Sequence, residues 1–272
     1  MQILELINSA SKLLKDNNIQ SNKLDSELLL SKVLKKRREE LLLKLDESVS
    51  KHSITQFEKL IYRRSLKEPI AYILKHKEFW SKNFLVNNNT LIPRPETELM
   101  VEKIQKIFKN KDPFILDVGT GSGCILLSLL SEFKNSKGIG IDISKQAIQI
   151  AIKNSKQQKL TQRAKFYRKS LSQFYGHKFD LIVSNPPYIR TIDLKNLDDD
   201  IKKFEPKIAL DGGNDGLDVI KKVIYKSKYI LKFRGMLSLE IGNGQCKKVS
   251  KILKENNFRI NYLVQDYRKN IR

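Results

Sequence analysis

The stretch Phe114-Ile115-Leu116-Asp117-Val118-Gly119-Thr120-Gly121-Ser122-Gly123 decides the fold of this 272-residue chain. Its apolar first residues predict a buried strand, and the apolar residues after Gly123 predict a helix over 123–133. Glycines between a strand and a helix let the backbone turn sharply and approach a ligand, while the helix N-terminus offers free N–H groups. The stretch therefore predicts a nucleotide-type site, although such a turn alone is common to dinucleotide and other nucleotide sites.

Helices and strands alternate from Glu98 onward. Further helices are expected around 96–109, 144–155, 216–231 and 245–256, and further strands at 138–141, 165–167, 180–184, 236–240 and 259–265. This alternation predicts an α/β fold with a mostly parallel sheet, whose ligands bind at the carboxyl ends of the strands. Asp142 ends the strand after the glycine loop, where its carboxylate can accept both ribose hydroxyls of an adenosine. Asp117 can meet an ammonium group, directly or through water.

A second motif, Asn185-Pro186-Pro187-Tyr188, follows the apolar run Leu181-Ile182-Val183-Ser184. Its two prolines prevent both strand and helix from continuing, so the chain leaves the strand in a stiff loop. Such a loop can hold a planar –NH2 group, because the Asn185 and Pro186 carbonyl oxygens accept its two hydrogens and Tyr188 covers one face. Alone, the tetrapeptide leaves adenine, guanine and glutamine open as targets.

The two motifs together predict methyl transfer from S-adenosylmethionine to an –NH2 nitrogen. An amide nitrogen is a poor nucleophile because its lone pair is delocalised. We therefore expect hydrogen bonds to Asn185 and Pro186 to fix the nitrogen in place, without a strong base in the site.

The first part of the chain carries neither motif. Ile3, Ile7, Ala10 and Leu14 recur at helical spacing. We predict a helical N-terminal domain over 1–74 that recognises a partner or acts as a scaffold, a β-hairpin linker over 75–92 and a methyltransferase catalytic domain over 93–272; the family resemblance described below implies that 1–74 is a substrate-recognition domain.

Composition restricts the remaining function classes. The formal net charge is +22, and no acid occurs between Ile143 and Ser170, so this stretch is either a solvated basic face or a surface for an acidic partner. Two cysteines and three histidines favour neither a disulfide framework nor a metal site. No apolar run is long enough to span a bilayer, and the N-terminus has no signal-peptide core, so a cytoplasmic location is predicted.

Both motifs resemble the protein-(glutamine-N5) methyltransferase family, and within it the bacterial release factor enzymes. Supporting segments occur along nearly the whole chain: Glu68–Leu74, Leu91–Glu98, Phe204–Pro206, Gly212–Gly213, Gly216–Leu217, Glu240–Gly242 and Gln245. The resemblance implies a seven-stranded Rossmann-like S-adenosylmethionine-dependent methyltransferase domain, preceded by a small all-α bundle that meets the release factor. It implies, as substrate, the glutamine of the Gly-Gly-Gln loop in class I peptide chain release factors.

The resemblance also implies roles for individual residues. The implied cofactor-binding residues are Asp117, Gly119, Thr120, Gly121, Ser122, Gly123, Asp142 and Asn185. The implied catalytic residues are Asn185, Pro186 and Tyr188, and the implied substrate-binding residues are Asn185, Pro186, Pro187, Tyr188 and Arg94. Glu240 either braces the site or is an ordinary acid at a strand end. The chain departs from the family at Lys169-Ser170-Leu171, where relatives often have an acid before Trp or Leu near the adenine.

Other functions remain open at this point. A ribosomal-protein glutamine methyltransferase is similar, and an adenine or guanine N-methyltransferase uses the same tetrapeptide and suits a basic protein. An enzyme of the latter kind must flip or splay a base and needs a surface that reads nucleic acid, for which the sequence offers no separate domain. A binding module without activity is the non-enzymatic alternative. We expect a monomer that requires neither membrane nor nucleic acid.

Overall fold

The structure is a computed structural model that describes all 272 residues. The chain forms two compact units. The first contains Met1–Lys75 and Asp198–Phe204, and the second contains His76–Leu197 and Glu205–Arg272.

The first unit is entirely helical. Its helices are α1 (Ile3–Asp16), α2 (Asn22–Leu34), α3 (Arg38–Leu42), α4 (Lys51–Ser65), α5 (Ile70–Leu74) and, from the later part of the chain, α9 (Asp199–Phe204). Leu14, Leu29 and Phe57 bring the apolar faces of α1, α2 and α4 into one core. A buried ion pair joins α2 to α4, with Arg64 Nε 2.7 Å from the Asp25 carboxylate.

The second unit begins with a hairpin and continues as an α/β layer structure. Its strands are β1 (His76–Phe79), β2 (Lys82–Leu85), β3 (Ile115–Val118), β4 (Gly138–Asp142), β5 (Ala164–Arg168), β6 (Phe179–Ser184) and β7 (Leu231–Leu239). Its helices are α6 (Pro95–Ile107), α7 (Cys124–Glu132), α8 (Lys145–Gln157), α10 (Asp218–Ile230) and α11 (Cys246–Glu255).

The main sheet has the order β5-β4-β3-β6-β7, and every neighbouring pair is parallel. Successive residues of the central strands face opposite sides, as the period of a strand requires. Ile115 joins the core formed with α6, α7 and the hairpin, whereas Leu116 joins the core formed with α10. The central strands are therefore buried on both faces, which explains their continuous apolar sequences.

The main sheet contains five strands, so the expectation of seven is not met. The segment 259–265, expected as a final strand, is not a strand, and only Gln265 makes an isolated bridge, to Ile271. The reason is local, since the Asp266 carboxylate accepts hydrogen bonds from the backbone N–H groups of Arg268 and Asn270. These bonds turn the chain back on itself and compete with pairing along the sheet.

Candidate functional site

The two sequence motifs leave neighbouring strands at the same edge of the sheet. Val118 at the end of β3 pairs in register with Ser184 at the end of β6. The Ser184 hydroxyl, which is buried, donates to the Val118 carbonyl at 2.7 Å. The glycine loop and the tetrapeptide 185–188 therefore start side by side at the carboxyl ends of adjacent strands, as expected for a ligand site in a parallel sheet.

The glycine loop forms an open cradle. Gly119 has φ +71°, and a Cβ atom at this position would meet no atom within 4 Å, so open space lies over its backbone. Gly121 and Gly123 also have positive φ angles of +54° and +81°, a region that favours glycine. Gly140 on β4 allows Thr120 of the glycine loop to pack closely against it, since a Cβ at this position would lie 2.8 Å from Thr120 Oγ1.

Asp117 is fully buried beneath this cradle. One carboxylate oxygen accepts a hydrogen bond from Thr120 Oγ1 at 2.7 Å, and the other, Oδ1, has no hydrogen-bond partner. Burial raises the pKa of Asp117 to about 7, the Thr120 hydrogen bond and the backbone N–H of Leu126 oppose this shift, and the charge of Asp142 adds to it. A buried carboxylate oxygen without a partner is costly, and a cationic donor placed beside it would relieve that cost.

Asp142 at the end of β4 connects the loop to the next helix. Its carboxylate oxygens accept from the backbone N–H groups of Gly121, at 3.0 Å, and Ser144, at 2.9 Å. Burial raises its pKa, and these backbone hydrogen bonds oppose the shift. Each oxygen has more than one lone pair, so this carboxylate retains the capacity to accept hydroxyl groups as well.

These residues fit S-adenosylmethionine, which carries an ammonium group and a ribose diol. Asp117 offers an unpaired buried oxygen for the ammonium group, Asp142 offers acceptors for the diol, and Gly119 leaves open space along the loop. Ser122 also has a buried hydroxyl oxygen without a partner. Beyond Asp142, Lys169 N donates to the Asp142 carbonyl at 3.0 Å and Leu171 packs against the neighbouring core.

The half-buried side chains of Asn185 and Tyr188 join a hydrogen-bond chain that runs through the buried residues Thr97 and Glu240. Asn185 Nδ2 donates to Thr97 Oγ1 at 3.2 Å, and Thr97 Oγ1 lies 2.6 Å from the Glu240 carboxylate. The Tyr188 hydroxyl donates to the other oxygen of Glu240 at 3.3 Å. Burial raises the pKa of Glu240, and burial together with the charge of Glu240 raises that of Tyr188. The sequence left open whether Glu240 braces the site or is an ordinary acid at a strand end. In the structure its carboxylate accepts hydrogen bonds from Thr97 and Tyr188.

The backbone of the tetrapeptide is held by a second set of residues. Gln245 Nε2 donates to the Tyr188 carbonyl at 2.9 Å, and Gln245 Oε1 accepts from the backbone N–H of Gly242. Gly216 lies so close that a Cβ there would be 2.4 Å from the Tyr188 carbonyl oxygen, and a Cβ on Gly212 would be 2.7 Å from the Pro187 oxygen. These contacts hold the backbone of the tetrapeptide 185–188 in place.

Arg94 immediately precedes α6 and is about one-third exposed. Its guanidinium donates to the Glu205 carboxylate at 2.5 Å, and Glu205 also accepts from the backbone N–H of Ile92 at 3.3 Å. The side chain of Glu205 is buried. Arg94 therefore connects the segment before α6 to the long connection between β6 and α10, which begins with the tetrapeptide 185–188.

Sequence reasoning did not single out Thr97 and left the role of Gln245 undefined, although both are in segments that support the resemblance. Their roles depend on contacts with residues that are far away in the sequence. Thr97, for example, contacts Glu240, which lies 143 positions later. No group of three His, Cys, Asp or Glu side chains is arranged to hold a metal ion. No helix combines the length and apolar character needed to cross a bilayer.

Comparisons with known proteins match both parts of the chain. Residues 5–74 match the family model described as the PrmC N-terminal domain, and residues 95–200 match the methyltransferase small domain. The catalytic domain of hMettl16, solved with the MAT2A 3′UTR hairpin 6, has a TM-score of 0.55 at 16% identity and covers 75% of each chain, which shows the class I methyltransferase fold.

Curated relatives extend over nearly the whole chain. The bifunctional methyltransferase of Rickettsia prowazekii is 37% identical over 97% of this chain, which spans 55% of that longer protein. The release factor glutamine methyltransferase of Clostridium acetobutylicum is 38% identical over 95% of this chain and 92% of its own length. The chain belongs to the release factor glutamine methyltransferase family.

Proposed function

We propose that this protein transfers a methyl group from S-adenosylmethionine to the side-chain amide nitrogen of the glutamine in the Gly-Gly-Gln motif of class I peptide chain release factors. The observation that carries the proposal is the placement of the tetrapeptide 185–188 beside the glycine loop, at paired residues Val118 and Ser184. Family membership supports the choice of a release factor as substrate.

The chemistry that S-adenosylmethionine supplies when bound is a methyl group on a positively charged sulfur. Asp117, Gly119–Gly123 and Asp142 hold this donor, and Asn185 borders both ligands. The substrate amide donates its two hydrogens to the Asn185 side-chain oxygen and the Pro186 carbonyl, and Tyr188 covers one face of it. These two acceptors fix the nitrogen and increase its electron density, which compensates for its poor nucleophilicity.

No strong base is needed in this scheme. Glu240 already accepts two hydroxyl groups, and Asp117 lies at the bottom of the donor cradle. The amide proton leaves late, to water, after the carbon–nitrogen bond has begun to form.

The proposal includes the organisation of the chain. The helical domain over 1–74 recognises the release factor, and the segment 75–92, which contains the hairpin, links this domain to the catalytic domain. The protein acts as a monomer in the cytoplasm without nucleic acid. Within the basic stretch, Arg163 donates to three backbone carbonyls, those of Leu130, Phe133 and Ser136, which supports a structural role for part of this charge.

One assay tests the main proposal. Purified protein and labelled methyl donor are incubated with a release factor, with its Gln→Ala variant, with ribosomal proteins, or with DNA and RNA. We expect label only in the unmodified release factor. Equal labelling of the Gln→Ala variant, or preferential labelling of a ribosomal protein or of nucleic acid, would contradict the proposal.

A further inference from the structure

The Asn185 side chain can be oriented in two ways that differ in function. An amide carries an acceptor oxygen on one side and a donor –NH2 on the other, and the two orientations have almost the same shape. If the –NH2 faced the substrate amide, two donors would meet and the substrate nitrogen would not be held. Something in the protein must therefore select the orientation with the oxygen toward the substrate.

The buried hydrogen-bond chain behind Asn185 makes this selection. The Glu240 carboxylate accepts hydrogen bonds from two hydroxyl groups, those of Thr97 and Tyr188. The single hydroxyl hydrogen of Thr97 is therefore committed to Glu240, at an Oγ1–Oε2 distance of 2.6 Å. The Thr97 oxygen can then only accept, which favours Asn185 Nδ2 as its donor, at 3.2 Å.

Burial fixes the direction of these hydrogen bonds, from Asn185 to Thr97 and from Thr97 to Glu240. Thr97 is 2% exposed and Glu240 is 3% exposed, so water does not readily replace either partner. An inverted Asn185 amide would place its oxygen against the Thr97 oxygen and leave two acceptors facing each other. The three residues come from the first turn of α6, the end of β7 and the end of β6, so the fold itself fixes their arrangement.

We infer that Thr97 is a positioning residue, which, with its hydroxyl oriented by Glu240, holds the Asn185 amide with its oxygen toward the substrate and thereby selects a substrate that donates hydrogen bonds. The inference rests on the proposed function for the identity of that substrate. The same arrangement rejects a glutamate side chain at this position, because its carboxylate would meet the Asn185 and Pro186 oxygens.

The test uses two substitutions at one position. Thr97→Val keeps the shape but removes the acceptor for Asn185 Nδ2, whereas Thr97→Ser keeps the hydroxyl. We expect Thr97→Val to lower the rate of release factor methylation by about tenfold to a hundredfold, in line with the loss of a buried hydrogen bond. Thr97→Ser should stay within about threefold of the wild type, since its hydroxyl makes the same bonds.

A binding ratio separates orientation from general damage. Affinity is measured for the release factor and for its Gln→Glu variant. In Thr97→Val the inverted amide presents –NH2 to the glutamate, so the preference for glutamine over glutamate should fall, whereas general damage weakens both alike. Thr90→Val is the matched control, because Thr90 is 1% exposed and its hydroxyl donates to the Asn87 carbonyl. It should leave both rate and preference unchanged.

The orientation can also be observed without substrate. Proton NMR should show cross-relaxation between the Asn185 side-chain –NH2 and the Thr97 side chain in the wild type. If the wild type fails to methylate a release factor, the proposed function fails, and this spectrum still decides the orientation. Wild-type rate and preference in Thr97→Val, a parallel loss of both affinities, or absence of the cross-relaxation would overturn the inference.

Discussion

Asp117 should make binding of the methyl donor depend on pH. The carboxylate is buried, one of its oxygens has no partner, and burial raises its pKa to about 7. Much of the free protein therefore carries a proton on Asp117 near neutral pH. A bound ammonium group favours the charged carboxylate, so binding should expel this proton.

The magnitude follows from the two pKa values. Asp117 starts from a pKa of about 7 in the free protein. If the bound ammonium returns it toward the ordinary value of about 4, the dissociation constant should rise about tenfold for each pH unit below 7, or about 1.4 kcal/mol. At about pH 6 the binding should release about 0.9 proton, because nearly all free protein is protonated and nearly no bound protein is.

Titration calorimetry measures both quantities. Affinity is determined between about pH 5.5 and 7, below the α-amino pKa of about 7.7–8.0 expected for the donor. Two buffers of different ionisation enthalpy give the number of protons released. Asp117→Asn is the control, since it keeps the shape and cannot titrate, and subtracting it removes the contribution of the three histidines. Equal affinity at both ends of the range, with the same proton release in wild type and variant, would refute the reasoning.

The same pKa shift predicts the sign of a stability change. The folded-state pKa of Asp117 lies above its unfolded value, so the contribution of this group is fully present below about pH 4. That contribution is lost as the pH rises through about 7. The free energy of unfolding of the wild type, relative to Asp117→Asn, should therefore fall between these two pH values.

Three further substitutions test the site and the helical unit. Asn185→Ala should reduce transfer to less than about a tenth of the wild-type rate with the circular dichroism spectrum unchanged, because positioning contributes several kcal/mol; a higher residual rate would argue against its orienting role. Gly216→Ala adds a Cβ 2.4 Å from the Tyr188 carbonyl oxygen at φ +72°, so this variant should lose methyl transfer. Gly176→Ala is the control, because Gly176 also has a positive φ, +85°, but lies in open space, and this variant should lose only about 1–2 kcal/mol of stability. Arg64→Met leaves the Asp25 carboxylate buried without its ion-pair partner, and chemical denaturation should show that the free energy of unfolding falls by about 3–5 kcal/mol. Adding Asp25→Leu to this variant should restore part of the loss, and an unchanged denaturation midpoint in Arg64→Met would contradict the prediction.

The sequence predicted the order of the central elements because each has a strong local pattern. Apolar runs marked β3 and β6, and glycines or prolines marked their ends. It missed the end of the chain because the apolar residues of 259–265 suggest a strand, while the hydrogen bonds that turn the chain around Asp266 decide otherwise. A strand needs a partner edge as well as a suitable sequence, and only the folded chain supplies that information.

The tetrapeptide shows where sequence reasoning stops, for a physical reason. Two prolines are sufficient to predict a stiff loop, but stiffness does not determine which way an amide faces. That orientation depends on the Thr97 hydroxyl, whose own hydrogen is oriented by Glu240, and the two residues are 143 positions apart. Hydrogen-bond direction passes along such a chain when its central members, here Thr97 and Glu240, are buried and water cannot replace them. The specificity of this site is therefore a property of the assembled fold, and a variant that preserves all four residues of the tetrapeptide can still lose it.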